Sequence, residues 1–123
     1  KPTKKLYKKA LGHYRKAQYD KSRPLFEELL GRDIKGETLA HVYHNLAMLD
    51  YMDEKNKSAM VRFSKLFTKF PDSGFNKNGL LFLARTFKRM GKTNEAKQTL
   101  QELINRFPDS SKAGEAKKML QKL

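Results

Sequence analysis

The chain has 123 residues and carries 27 Lys and Arg against 13 Asp and Glu, a formal charge of +14. That length suits one domain with its own core, and eight Phe and five Tyr make it too apolar for a disordered tail. Without cysteine it has no disulfide, thiolate chemistry or cysteine-ligated zinc, and no apolar run approaches the ~18–20 residues of a membrane span.

Apolar periodicity predicts an all-α chain of seven helices and no strands. The first two cover about Thr3–Ala17 and Asp20–Leu30 and are followed by the breakers Gly31 and Gly36. Pro24 falls in about the first turn of the second helix, where its missing N–H is tolerated. The next pair is expected near Glu37–Tyr51 and Asn56–Phe70. In the fifth helix Leu80, Leu83, Ala84 and Phe87 keep the 3.6-residue period; Lys88 and Arg89 suit its last turn, and Gly91 supplies a left-handed stop. Thr93 reads as the N-cap of the sixth helix, whose apolar face carries Ala96, Leu100, Leu103 and Ile104. Pro108 ends it, and Asp109 or Ser110 caps a last helix with Ala113, Ala116, Met119, Leu120 and Leu123 on one side. The chain does not begin with Met, so a fragment of a longer protein is expected.

These elements repeat. Phe70-Pro71-Asp72-Ser73 recurs 37 residues later as Phe107-Pro108-Asp109-Ser110. The same step links Ser22, Ala59 and Ala96, then Phe26, Phe63 and Leu100, then Leu29, Leu66 and Leu103. Three helix pairs, about 3–35, 36–72 and 73–109, therefore stack in one domain, closed by a capping helix over about 110–123.

The columns resemble the tetratricopeptide repeat (TPR), an α-solenoid family. With Pro108 as the terminal proline, signature positions fall on Leu80, Leu83, Ala84, Phe87, Ala96, Leu100 and Leu103. With Pro71 there, they fall on Tyr43, Leu46, Ala47, Asp50, Ala59, Phe63 and Leu66; Asp50 stands where an aromatic residue is usual. The period of 37 and the phrase Arg106-Phe107-Pro108-Asp109-Ser110 look most like the C-terminal repeat domain of the periplasmic Tol–Pal-associated cell-division coordinators. They are also similar to lipoprotein scaffolds of outer-membrane assembly. The resemblance implies a non-enzymatic scaffold for cell-envelope assembly or division, periplasmic or envelope-associated in a bacterium, with a cytoplasmic location as the alternative.

In such a solenoid the first helices of successive units line a concave groove. Carried over, the groove comprises Tyr7, Lys8, His41, His44, Asn45, Met48, Tyr51, Met52, Asn78, Leu81, Arg85, Lys88 and Arg89. Leu11, Tyr14 and Phe82 belong either to it or to the core between units. An aromatic and methionine floor with basic ends suits a protein or peptide partner with apolar anchors and acidic flanks. The two-carboxylate clamp of chaperone-tail-binding relatives is not reproduced, since its positions hold Tyr7, Leu11, Asn45, Asn78 and Phe82 and only Asn45 matches.

Glu37, His41 and His44 share a helix face at metal-ligand spacing, but a solvated face is the expected reading, and no metal, cofactor or catalytic residue is assigned. Lys4, Lys5, Lys8, Lys9, Arg15 and Lys16 form an N-terminal basic patch. Two alternatives follow: a polyanion-binding module for nucleic acid or anionic lipid, and a self-assembling module that makes a homo-oligomer through the groove or an upstream segment.

Overall fold

In the computed structural model, which describes residues 2–123, the apolar stripes fold into helices α1 (Thr3–Arg15), α2 (Tyr19–Leu30), α3 (Gly36–Met52), α4 (Asn56–Lys69), α5 (Asn76–Arg89), α6 (Thr93–Arg106) and α7 (Ser111–Gln121). Among the described residues there is no strand. Consecutive helices pack as antiparallel pairs and the pairs stack into a TPR-like solenoid.

The turn inside each pair is built identically. Ala17, Glu54 and Gly91 stand one repeat apart and all take positive φ, at 58°, 58° and 74°. After each, an N–H reaches back to the preceding helix: Gln18 to the His13 carbonyl, Lys55 to that of Asp50 and Lys92 to that of Phe87, each at 2.8 Å. This is the Schellman closure, which satisfies the last orphan carbonyls and needs one left-handed residue. Only the third turn has a glycine, so the first two hold an L side chain where it is sterically disfavoured. Gly91→Ala is therefore expected to cost about 1 kcal/mol, whereas Ala17→Gly and Glu54→Gly gain a few tenths of a kcal/mol or more. Urea unfolding of the three variants checks the sign at each turn.

Two local expectations change. Thr93 lies inside α6, with Lys92 at the cap position and no side-chain cap. Pro24 sits in the second turn of α2, because the helix starts at Tyr19, one residue early. Gly31 keeps an ordinary right-handed conformation, and the left-handed glycine of that loop is Gly36. Ser110 does cap α7, its hydroxyl accepting from the Ala113 N–H at 3.1 Å.

The core is two clusters that meet on α3. Leu6, Ala10, Phe26 and Leu29 pack on Val42, Leu46 and Leu49, whereas Ala47 faces Phe63, Leu80, Ala84 and Leu100 on the other side. α3 is thus covered on both flanks and needs apolar residues around most of its circumference. Between the clusters lies Asp50, 1% exposed. Its carboxylate accepts from Arg23 on α2 at 2.8 Å and from Arg62 and Ser58 on α4 at 3.0 and 2.7 Å. The residue that departs from the repeat pattern ties three helices together.

Candidate functional site

One face of α1, α3 and α5 carries a continuous ladder of side chains. At its α1 end the Tyr7 hydroxyl lies 2.6 Å from His41 Nδ1. The His41 ring stacks on Phe75 at 4.3 Å, and Phe75 in turn leans on His44 at 5.4 Å. Asn78 donates to His44 Nε2 at 3.0 Å and approaches the Met48 sulfur at 3.5 Å. One turn further, Tyr51 meets Phe82 edge-on at 4.9 Å. Arg85 lies over Phe82 at 4.7 Å, and Arg89 lies over Tyr51 at 3.6 Å and donates to its carbonyl at 2.7 Å. The helices are spaced so that long residues at the i, i+3 and i+7 positions of one reach those of the next.

Burial, then the neighbouring His44 and Arg15 charges, push His41 down to about 4 from 6.5. Burial also lowers His44, against the opposing pull of its hydrogen bond to Asn45. Burial raises Tyr7. At neutral pH the imidazoles are therefore uncharged and Tyr7 is a phenol. Tyr7 then donates to His41 Nδ1, and the His44 Nδ1–H donates to Asn45 Oδ1 at 2.8 Å. Folding stability should consequently fall as pH drops from 6.5 toward 4, since the unfolded chain takes up the proton first. Partial exposure of His41 holds the effect to about 1–2 kcal/mol, and His41→Gln should flatten this limb of the stability curve. Urea midpoints at both ends of that range measure it; an unchanged slope in His41→Gln would contradict the assignment.

The ladder brings together Tyr7, His41, His44, Met48, Tyr51, Asn78, Arg85 and Arg89. Met52 follows Met48 by one turn and is 42% exposed. Lys8 is exposed beside Tyr7, about 100° further round α1. Asn45 and Leu81 need correction: at 2% and 0% exposure they are core residues, because the neighbouring helix covers their flanks. Leu11 is buried, and Tyr14 packs edge-on to Phe26 at 6.0 Å with burial pushing its phenol up to about 12, so both belong to the core between helices. Phe82 serves core and ladder alike.

Lys4, Lys5, Lys8, Lys9 and Arg15 along α1, and Lys16 at its C-cap, are all exposed. Glu37, His41 and His44 make no ligand trio, since Tyr7 occupies one imidazole and two asparagines occupy the other. Among the described residues no three His, Asp or Glu side chains are placed to hold a metal ion.

Sequence reasoning missed Phe75. It stands at the cap position of α5, and its repeat counterparts are Thr38 and Lys112, so no column marks it. It also missed the contribution of α7. A recess of 590 Å³ lies where α3, α5 and α7 meet, and Lys118, Met119 and Lys122 line it with Tyr51, Arg85, Lys88, Arg89 and Glu115. Lys122 is one repeat beyond Arg85, so extending the period into the last helix finds it. A larger hollow of 680 Å³ lies apart from the ladder, between Leu30, Ile34, Tyr43 and Val61.

A family model described as a tetratricopeptide repeat matches residues 80–110. No curated protein matches the chain in sequence. Among solved structures, PcrH in complex with the chaperone-binding region of PopB is similar over 96% of this chain and 94% of its own, at 16% identity and a TM-score of 0.79. The type III secretion translocator chaperone SycD of Yersinia enterocolitica is similar over 98% and 89%, at 14% identity and a TM-score of 0.78. At these identities the likeness is one of fold: a TPR-like helical solenoid.

Proposed function

We propose that the protein is a non-enzymatic scaffold whose concave face holds an extended segment of a protein partner. The observation that carries this reading is the ladder from Tyr7 to Arg89, an aromatic and methionine surface spanning three helices whose own polar atoms are largely paired. Such a surface is ready before binding, so little ordering entropy is lost when a peptide enters. The fold's likeness to PcrH, solved with a region of PopB, supports a peptide partner. The Phe-Pro-Asp-Ser phrase and the period of 37 support work in bacterial envelope assembly or division, periplasmic or at the envelope.

Peptides selected from a displayed random library should bind, and Met52→Glu should weaken them about tenfold or more, while Val61→Glu, away from the ladder, leaves them unchanged. No enrichment, or the reverse response of the two variants, would refute the groove reading. The exposed lysines of α1 favour a second reading, a polyanion surface. Binding to DNA or anionic vesicles that collapses between low and moderate salt would support it.

A further inference from the structure

We propose that the recess between α5 and α7 is an acid-recognition pocket that captures carboxylates of the peptide in the groove and thereby sets the direction in which the peptide lies. This rests on the groove reading and adds the chemistry of one end of the ligand.

The recess collects five cationic side chains, Arg85, Lys88, Arg89, Lys118 and Lys122, against the single carboxylate of Glu115. Glu115 is already shared, at 3.9 Å from Arg85 and 3.3 Å from Lys112 outside the recess. Among the described residues, Lys88, Lys118 and Lys122 have no acidic side chain within 4.0 Å. Arg89 spends its hydrogen bond on a neutral carbonyl and its face on an aromatic ring. Its charge is therefore held in place without being cancelled, which is the arrangement that favours an incoming anion.

Placement makes the partner a peptide instead of a duplex or a membrane. Tyr51, the residue under Arg89, is also the end of the aromatic ladder, and Tyr51 and Met119 line the same recess. The cations thus surround an amphipathic notch at one end of an apolar track, where a chain could seat leucine-like anchors on the ladder and its acidic end in the notch. A flat polyanion would reach the exposed lysines but leave the ladder empty. At the α1 end of the ladder Tyr7 and His41 satisfy each other, and among the described residues the recess beside Tyr7 is lined by two cations, Lys4 and Lys35, against five at the α5–α7 end, so the two ends are chemically unlike and a bound peptide has one favoured polarity.

Anisotropy with three fluorescein-labelled peptides tests this on the whole chain: an alternating leucine–serine peptide, the same peptide with a C-terminal tetraglutamate, and the same with an N-terminal tetraglutamate. One tailed peptide should bind about tenfold more tightly than the untailed one and clearly more tightly than its reversed counterpart. Lys118→Glu/Lys122→Glu should erase that advantage and leave untailed binding intact, whereas Lys57→Glu/Lys65→Glu, an equal charge change on exposed positions of α4 away from the ladder, should preserve it. Untailed binding with no gain from either tail, or equal losses in the two double variants, overturns the pocket alone. No binding by any of the three overturns the groove reading and the pocket with it.

Discussion

Asp50→Ala is expected to destabilise the fold by about 3 kcal/mol, the largest single loss among polar substitutions here. The carboxylate is 1% exposed and accepts from Arg23, Arg62 and Ser58 on the helices either side of α3. Removing one member of such a cluster strands the others; the usual cost is about 3–5 kcal/mol. The lower figure applies because the two arginine side chains are 18% and 23% exposed and regain some water. Arg23 also keeps Asp53, at 3.0 Å. Asp50→Asn preserves the shape and should fall between wild type and Asp50→Ala. Equilibrium urea unfolding at neutral pH measures all three. A loss under about 1 kcal/mol in Asp50→Ala would mean that desolvation already cancels the ion pairs in the native protein.

The second large effect is steric. Ala84 is fully buried in the cluster that contains Ala47, Phe63 and Leu100, so Ala84→Leu should overpack it and cost about 1–3 kcal/mol. Gly79 provides the companion case. A Cβ there would stand 2.9 Å from the Leu66 side chain, itself fully buried between α4 and α5. The gain of about 1 kcal/mol that alanine offers over glycine in a helix should therefore be lost to the clash, leaving Gly79→Ala no more stable than wild type. Gly79→Leu should be at least as damaging as Ala84→Leu. Thermal and urea midpoints read these changes, and an unaltered midpoint in Ala84→Leu would contradict the packing of α5 on its neighbours.

Both predictions concern how the helices are held, and they bear on the groove because the ladder exists only while α1, α3 and α5 keep their spacing. Asp50 acts at the junction of the first and second units; Gly79 sets the approach between the second and third. A variant that loosens either should weaken peptide binding without touching a ladder residue.

Much of this architecture is legible in the chain. Apolar residues at helical spacing, glycine and proline at the ends, and a step of 37 across three columns specify helix pairs and their order, because those signals are local or periodic. The repeat also predicts which residues face inward, such as Phe26, Phe63 and Leu100, all essentially buried. The positive φ at Ala17 and Glu54 was recoverable too, one and two repeats before Gly91, once position in the repeat is given more weight than residue type.

Composition and period thus determined the class of fold and the helix pairs, and the +14 charge the excess of cations the surface must carry. Tertiary structure alone decided which edge residues see solvent. Asn45 and Leu81 share helix faces with ladder residues, yet the angle between neighbouring helices buries them. The same angle brings Phe75 onto His41 and swings Lys118 and Lys122 toward Arg89. Periodicity fixes where a side chain points on its own helix, but it does not encode how far one helix is turned against the next. That turn follows from the summed packing of small residues such as Gly79 and Ala84 against large ones, and it determines where the charge gathers.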